Sequence, residues 1–356
     1  MTLDERSLAF LRRLLDAPGP SGFEQLPSRL WREEAQAFAA VDLDVGGNST
    51  ATVNPRGAPR VLLAGHVDEI GVMVVHVDDD GFVYFGAIGG WDSQVLVGQR
   101  AVLQGREGPV AGVVGKKAIH LLKPEEKDKI SKMSDLWIDI GATKKAEALE
   151  RVRVGDAGVI ACQSLELPNG RLASRSIDNR IGAFVVLEAL RRLSAAPPRA
   201  AVVAVATTQE EIGTSGGGAR TSAFRVEPQA AVVVDVTHAT DIPGAEKKEQ
   251  GDVKLGGGPV LARGSAVSRV VFDQLVAAAE AEGIPFAIEA TPRYTSTDAD
   301  QVYTSRTGVA TGLVSVPCRY MHSPNEMVAY DDLDRAAALL AAWVRRLEPA
   351  TSFIPV

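Results

Sequence analysis

The sequence contains few cysteines and no long block of basic residues. Its 356 residues include two cysteines, Cys162 and Cys318, each in or beside an apolar segment. We expect both to be reduced side chains in the core, not parts of a disulfide framework. Lysine and arginine number 38 against 45 aspartates and glutamates, a net charge of −7, with no basic cluster longer than a pair such as Lys116–Lys117. This balance argues against nucleic acid or an anionic membrane as a partner.

Long apolar runs are also missing. No stretch approaches the about 20 apolar residues that a membrane-spanning helix needs. The first residues, MTLDERSLAFLRRLLDAPGPSG, follow the pattern of an amphipathic helix with acidic side chains and lack the cleavage site of a secretion signal. With 46% hydrophobic and 23% charged residues, the composition is that of a globular chain long enough for two domains. We expect a soluble, cytoplasmic protein.

Helices and buried strands alternate in the first and last parts of the chain. Two helices are predicted at Leu3–Ala17 and Glu24–Ala40, followed by a continuous apolar run at residues 60–64 that is typical of a strand buried on both faces. The alternation resumes at Ile177 and continues to a closing helix at Asp331–Leu347. The fold class predicted from this pattern is α/β, with a mixed central sheet covered by helices on both faces. We assign residues 1–69 and 161–356 to this domain.

The middle of the chain has a different pattern. Short β segments separated by glycines run from about residue 70 to residue 160, beginning with a hairpin around an Asp-Asp-Asp-Gly turn. Helical spacing is confined to Pro124–Met133 and Lys144–Val152. We therefore predict that residues 70–160 form a small antiparallel β barrel inserted into the α/β domain.

Acidic residues and histidines follow the predicted buried strands at the point where each strand ends. Since the carboxyl ends of strands line the ligand crevice of open α/β sheets, these side chains are expected to converge. One more acid, Asp178, begins a helix. The residues at the strand ends are His66, Asp68, Glu210, Glu211, Asp235 and His322.

A single histidine or aspartate beside a strand is usually structural, and we expect this of His76, His120 and His238. Acids or histidines at five such places, the four strand ends and the helix start with Asp178, are harder to explain in that way. So many carboxylates on one edge would repel one another. A pair of divalent cations removes the conflict, and mixed histidine and carboxylate ligands suit Zn²⁺, with Co²⁺ or Mn²⁺ as substitutes. Asp68, two residues beyond His66, is suitably spaced to accept the second N–H of that imidazole.

The adjacent glutamates Glu210 and Glu211 are followed by a glycine-rich turn, GTSGGG at residues 213–218. A phosphate-binding loop is excluded, because the Gly-Lys-Ser/Thr ending is missing and the phosphates would face carboxylates. The turn is expected to bend the backbone tightly beside a crowded site. The chemistry needs one glutamate as a ligand and the other as a base, but the residues alone leave open which is which.

Five sequence blocks resemble the metal-binding segments of the M42 family of dinuclear-metal aminopeptidases, which includes glutamyl aminopeptidases and tetrahedral TET peptidases. The resemblance runs nearly end to end, and the predicted insert contributes AIGGWDSQVLVGQRAVL, GVVGKKAIHLL and SDLWIDIGA. It implies a zinc-peptidase-like fold with a PDZ-like inserted domain. The five blocks are GHVDEIG (65–71), SIDNR (176–180), QEEIG (209–213), VVDV (233–236) and MHSPNE (321–326).

The resemblance also implies a role for each site residue. His66 and Asp235 would bind one metal ion, Glu211 and His322 the other, and Asp178 would bridge the two. Glu210 would be the general base acting on a metal-bridged water, with Asp68 orienting His66. The implied activity is removal of N-terminal residues from short peptides that have a free N-terminus.

The resemblance further implies a homo-oligomer, a dodecamer built from dimers through the inserted domain. One segment departs from the family pattern, since TSTDAD at residues 295–300 stands where many members have a Gly-Gly-Thr-Asp-Ala-Gly type of sequence. This departure leaves the preferred N-terminal residue open, and the native metal is equally undetermined.

Three alternatives use the same residues. A carboxypeptidase or an N-deacylase could use the same metal chemistry on a different bond. A glycosidase needs two carboxyl groups about 5–9.5 Å apart across a sugar, for which two adjacent glutamates are not an obvious pair. A metal-stabilised scaffold would need neither a spare glutamate nor an open coordination position.

Overall fold

A mixed sheet of eight strands forms the centre of the computed structural model, which describes residues 3–213 and 217–355. Numbered along the chain, its strands are β1 (Ala40–Leu43), β2 (Ser49–Val53), β3 (Arg60–His66), β12 (Ala201–Thr207), β13 (Ala230–His238), β14 (Val260–Gly264), β15 (Ala287–Thr291) and β16 (Ala310–Cys318). Their spatial order is β1-β2-β12-β3-β13-β16-β14-β15. The four central strands β12, β3, β13 and β16 are parallel to one another, so their carboxyl ends meet at one edge.

Apolar side chains alternate between the two faces of the central strands. In β3, Val61 and Leu63 join the larger core cluster, whereas Leu62 and Ala64 join a smaller cluster on the opposite face. Successive side chains of a strand point to opposite faces, so a strand that is apolar throughout must be covered twice. This confirms the predicted mixed α/β fold with helices on both faces of the sheet.

Five helices pack into the larger cluster and two into the smaller one. The larger cluster includes side chains of α1 (Glu5–Asp16), α2 (Gln25–Ala35), α4 (Ile177–Ser194), α7 (Arg269–Glu282) and α9 (Tyr330–Arg345). The smaller includes side chains of α5 (Gly217–Val226) and α8 (Asp298–Tyr303). The remaining helices of the described residues are α3 (Lys145–Arg151) and α6 (Lys247–Gln250), and none is long and apolar enough to cross a membrane.

The prediction of the second helix is wrong at its C-terminal end. The prediction extended it to Ala40, but α2 stops at Ala35, and Ala40 already begins β1. Residues 40–43 pair with β2 at the edge of the sheet, an interaction with a later part of the chain that overrides the local helical pattern.

Six antiparallel strands between the two parts of the α/β domain close into a barrel, as predicted. The strands are β4 (Gly71–Val77), β5 (Val83–Ile88), β6 (Arg100–Gly105), β7 (Gly108–Lys116), β8 (Leu136–Asp139) and β9 (Ala157–Ile160). They enclose an apolar core of their own, which includes Val72, Leu103 and Ile138. The barrel therefore has an interior separate from that of the sheet.

Only one of the two helices predicted inside the insert is present. The helix at residues 144–152 is observed as α3, but Pro124–Met133 has only a 3₁₀ turn at Pro124–Glu126 and the first residue of another at Met133–Asp135. None of the side chains from 124 to 133 is buried, so a helix there would have no apolar stripe to pack against the barrel.

A small sheet connects two of the predicted metal-binding blocks. Its strands are β10 (Leu165–Leu167), β11 (Arg171–Ser174) and β17 (Glu326–Ala329). Antiparallel pairing of β11 with β17 places Ser174 opposite Glu326. The start of α4 and the loop before β17 are thereby held side by side, although they are remote in the sequence.

The two cysteines are both free but lie in different surroundings. Cys318 is buried at the end of β16, as expected. The expectation for Cys162 is wrong, because it is partly exposed in the segment between the barrel and β10, with its Sγ 3.4 Å from Asn325 Oδ1.

Candidate metal centre

The carboxyl ends of the four parallel central strands bring the predicted site residues together around one cavity. Strand β3 ends at His66, Asp235 lies within β13, and Glu210 follows β12. The cavity has a volume of about 990 Å³. All five predicted metal ligands and the predicted base line it: His66, Asp178, Glu210, Glu211, Asp235 and His322. Asp68 is fully buried behind them.

The carboxylate of Asp178 lies between the two histidines. Its Oδ1 is 3.2 Å from His66 Nε2, and its Oδ2 is 3.4 Å from His322 Nε2. Glu211 Oε2 is also 3.4 Å from His322 Nε2. One carboxylate thus faces both imidazoles, an arrangement suited to sharing a ligand between two cations.

Two sets of three side chains offer ligand atoms that all lie within 4.8 Å of one another. The first set is His66, Glu210 and Asp235, and the second is His66, Asp178 and Glu211. Glu211 Oε1 is buried and has no hydrogen-bond partner among the described residues. An unpaired buried carboxylate oxygen is costly, and a cation would satisfy it. The residues therefore fit a divalent metal.

The electrostatics of the site point to the same need. Burial raises the pKa of Glu210 to about 9, and repulsion from Asp235 adds to this against the opposing attraction of His66. Burial likewise raises the pKa values of Glu211 and Asp235 well above their ordinary range. Positive charge among these side chains would restore the ionised forms that bind metal.

Hydrogen bonds favour the charged forms of Asp178 and His66, whereas burial favours the neutral forms of the two glutamates. Although burial opposes ionisation, hydrogen bonds with His322 and His66 hold the pKa of Asp178 below its usual value. Burial alone would lower the pKa of His66, but hydrogen bonds with Asp178 and Asp68 reverse this and raise it. These contacts therefore keep the carboxyl group of Asp178 ionised.

Asp68 contacts both His66 and the glutamate pair. Its Oδ1 is 3.4 Å from His66 Nδ1, and its backbone carbonyl oxygen is 3.2 Å from the same nitrogen. The carboxylate also accepts hydrogen bonds from the backbone N–H groups of Glu210 and Glu211, each at 3.2 Å, and from Ser21 Oγ at 2.6 Å. Sequence spacing suggested the contact with the imidazole but not those with the backbone.

Glu326 is a contributor that the sequence reasoning missed. It is 2% exposed, and its Oε1 accepts the backbone N–H of His322 at 2.8 Å. Its Oε2 accepts the backbone N–H of Asp178 at 2.9 Å. One buried carboxylate therefore holds the backbones of two predicted ligands. Its place at the end of MHSPNE was a possible signal, but the contact with Asp178 spans 148 positions of the chain.

A second buried acid close to the site, Glu69, has its own cations. It accepts hydrogen bonds from the guanidinium groups of Arg175 and Arg180, the latter at 2.8 Å, and from the backbone N–H of Gly19 at 3.0 Å. Arg180 also donates to several backbone carbonyl groups in the last turn of α1 and just after it, among them that of Leu14 at 3.0 Å. This ion cluster ties α1 to α4.

Neither of the two metal-ligand sets among the described residues includes the predicted ligand His322 or any of the three remaining histidines. His76 and His120 are exposed on the barrel, whereas His238 is exposed at the end of β13 and lines the cavity. The departing segment 295–300 also reaches the cavity wall, and residues 214–216 of the predicted glycine-rich turn lie outside the described residues.

Comparisons with known proteins identify a family and several relatives for this chain. The sequence matches the family described as M42 glutamyl aminopeptidase over residues 47–339. The lysyl aminopeptidase of Pyrococcus furiosus is 32% identical over 345 residues, which cover 95% of this chain and 97% of that protein.

Solved structures extend the similarity to the whole fold. The TET aminopeptidase of the marine sediment archaeon Thaumarchaeota archaeon SCGC AB-539-E09 has a TM-score of 0.92 at 34% identity, with 97% of each chain covered. The TET1 peptidase of Pyrococcus horikoshii, which can assemble into a tetrahedron or a large octahedral shell, has a TM-score of 0.84 at 30% identity. That match covers 96% of this chain and 100% of the other.

Proposed function

Because this chain belongs to the M42 family of aminopeptidases, we propose that it is a dinuclear-metal aminopeptidase that removes single residues from the free N-terminus of short peptides. The observation that carries the proposal is the position of Asp178. Its two oxygens face His66 and His322 separately, next to the unpaired oxygen of Glu211. A structural site for a single ion would need no such shared carboxylate.

Two divalent cations would be held by these side chains. His66 and Asp235 would bind one, Glu211 and His322 would bind the other, and Asp178 would belong to both. Zn²⁺ suits this mixture of imidazole and carboxylate ligands, and Co²⁺ or Mn²⁺ would fit the same donors. When bound, the cations would polarise the peptide carbonyl and lower the pKa of water.

Glu210 is proposed as the general base. Its Oε2 lies 3.8 Å from His66 Nε2 at the cavity wall, and its backbone N–H is held by Asp68. From this position the carboxylate would take a proton from the attacking water and pass it to the departing amine. Such proton transfer contributes about 10²–10⁴-fold to a rate.

Asp68 is proposed to orient His66 and to hold the base at the same time. It lies against Nδ1 of the imidazole, so that Nε2 faces the cavity. The same carboxylate binds the N–H groups of Glu210 and Glu211, which links the position of the base to that of the histidine.

We further propose that residues 70–160 form the PDZ-like assembly domain of a dodecamer built from dimers. The barrel exposes large apolar side chains, Ile119, Leu121 and Ile130, in the segment between β7 and β8. Large apolar side chains exposed in one segment are compatible with a contact between subunits. The tetrahedral assembly of the Pyrococcus horikoshii TET1 peptidase supports this proposal.

Peptides with a free and with a blocked N-terminus distinguish the proposed activity from a carboxypeptidase or an N-deacylase. We expect the Zn²⁺- or Co²⁺-loaded protein to release the first residue of a tetrapeptide and to leave the N-acetylated form of that peptide intact. Mass spectrometry of the products identifies the bond that is cut. Release of the C-terminal residue from both peptides would indicate a carboxypeptidase, and release of acetate would indicate an N-deacylase.

A further inference from the structure

The cavity extends beyond the candidate metal centre to Glu289 on β15. Both Glu289 and Thr237 line it, together with the metal-site residues. Among the described residues that line the cavity there is no lysine or arginine. The region available to a substrate side chain is therefore acidic and carries no cation of its own apart from histidine.

Glu289 is connected to the metal centre through β13. Asp235 and Thr237 are two residues apart on this strand, so they point to the same face about 7 Å apart. Thr237 Oγ1 donates a hydrogen bond to Glu289 Oε1 at 3.0 Å. The carboxylate of Glu289 therefore lines the same cavity as Asp235 and is held one hydrogen bond beyond Thr237.

Glu289 forms no ion pair with any lysine, arginine or histidine of the described residues, although attraction to His238 in the same cavity partly offsets the burial that raises its pKa. The other acids of this wall are already engaged. Asp300 accepts hydrogen bonds from the backbone N–H groups of Thr295 and Ser296, and Asp298 accepts one from the hydroxyl of Thr207. Glu289 is half-buried and has one hydroxyl donor, so it is the acid best placed to meet a ligand.

We propose that this cavity selects a basic first residue, lysine or arginine, whose side-chain cation pairs with Glu289. The proposal rests on the proposed aminopeptidase function and adds its substrate class. A lysine has a four-carbon stem ending in a compact ammonium group, which suits a single carboxylate at this distance. An acidic first residue would face the like charge of Glu289, and a wrong charge is strongly disfavoured.

Aminoacyl-p-nitroanilides of lysine, arginine, leucine and glutamate test the proposal with the same metal-loaded enzyme. We expect kcat/KM for lysine and arginine to exceed that for leucine by about tenfold, with glutamate lowest. Glu289→Gln should reduce the lysine-to-leucine ratio by about tenfold. Glu289→Lys should reverse the charge preference, so that kcat/KM for the glutamate anilide exceeds that for the lysine anilide. Thr237→Val should lower the lysine-to-leucine ratio less than Glu289→Gln does, since the carboxylate remains but loses its hydroxyl donor.

Glu107→Gln is the matched control, because it makes the same charge change in an exposed turn of the barrel. It should leave the relative kcat/KM values of the four anilides unchanged. Calorimetry adds a readout that needs no turnover, in which L-lysine should bind the parent protein about tenfold more tightly than L-norleucine, and Glu289→Gln should abolish the difference.

The outcomes separate the two proposals. If glutamate or leucine is the best substrate of the parent enzyme, the selection of a basic residue is wrong while the aminopeptidase function stands. If Glu289→Gln lowers kcat/KM equally for lysine and leucine, Glu289 has a merely structural role and the proposal fails. If neither the anilides nor the unblocked tetrapeptide are cleaved, the aminopeptidase function fails, and the binding of lysine against norleucine decides whether the cavity recognises a cation.

Discussion

Two clusters of buried charge lie next to each other in this protein, and they are balanced in opposite ways. Glu69 is 2% exposed and is surrounded by the guanidinium groups of Arg175 and Arg180. The metal centre buries several carboxylates without any lysine or arginine among the described residues of its wall. Buried charge is stable only when it is paired.

The difference identifies the role of each cluster. The Glu69 cluster contains both signs of charge, so it completes itself and ties the end of α1 to α4. The metal centre leaves Glu211 Oε1 without a partner and raises the pKa of Glu210 to about 9. These carboxylates would be ionised together only if positive charge came from outside the chain, which is what a bound metal ion would supply.

The largest expected effect is on turnover. Glu210→Gln should lower kcat by about 10²–10⁴-fold, since the amide cannot take a proton, while both metal ions remain bound. Metal content by mass spectrometry, measured beside the rate, checks this. Glu211→Gln is the control at the adjacent position and should instead lose one ion. Full activity in Glu210→Gln, or two retained ions in Glu211→Gln, would show that the two roles are assigned wrongly.

The next largest effect is expected on stability, in the Glu69 cluster. Glu69→Gln should lower the free energy of unfolding by about 3–5 kcal/mol, because two buried guanidinium groups lose their shared carboxylate. Glu282→Gln, which breaks the exposed pair with Arg346, should cost no more than about 1 kcal/mol. Denaturant unfolding of both variants measures this. A Glu69→Gln variant that unfolds like the parent but binds no metal would place Glu69 in the metal centre and remove the contrast between the clusters.

The smallest effect is expected at Glu326, which joins the two ligand-bearing segments. Glu326→Gln replaces one acceptor oxygen by an amide nitrogen, so that either His322 or Asp178 loses its backbone contact. Metal affinity should fall by about 10–100-fold, with turnover preserved when metal is saturating. Metal titration with a competing chelator gives the affinity. An unchanged dissociation constant would mean that other contacts hold these segments.

Local patterns were sufficient for much of the fold. The continuous apolar run of β3 indicated a strand covered on both faces, and the glycine-separated β segments indicated the barrel that closes between Gly71 and Ile160. The prediction was wrong where contacts with remote residues decide, as at Ala40, which joins the sheet edge through β2. It was also wrong at residues 124–133, where no apolar surface is available to support a helix.

The candidate site likewise has features that local patterns predicted and features that depend on contacts between remote segments. The predicted positions of His66, Asp235 and the glutamate pair at strand ends were enough to predict convergence, because parallel strands bring their carboxyl ends to one edge. Strand β13 continues past Asp235 to His238, so that this residue lies within the strand and not after it. The backbone contacts of Asp68 with Glu210 and Glu211 could not be predicted, since each joins segments more than a hundred residues apart. No sequence pattern encodes such a distance.

The sequence by itself determined which residues are available for metal chemistry, because residue type and strand-end position are local properties. Tertiary structure alone decided how they are held and what lies beside them. It placed Glu326 between His322 and Asp178, gave Glu69 its two arginines, and brought Glu289 to Thr237. The physical reason is that hydrogen bonds and ion pairs act over a few ångströms in space, whatever the separation along the chain.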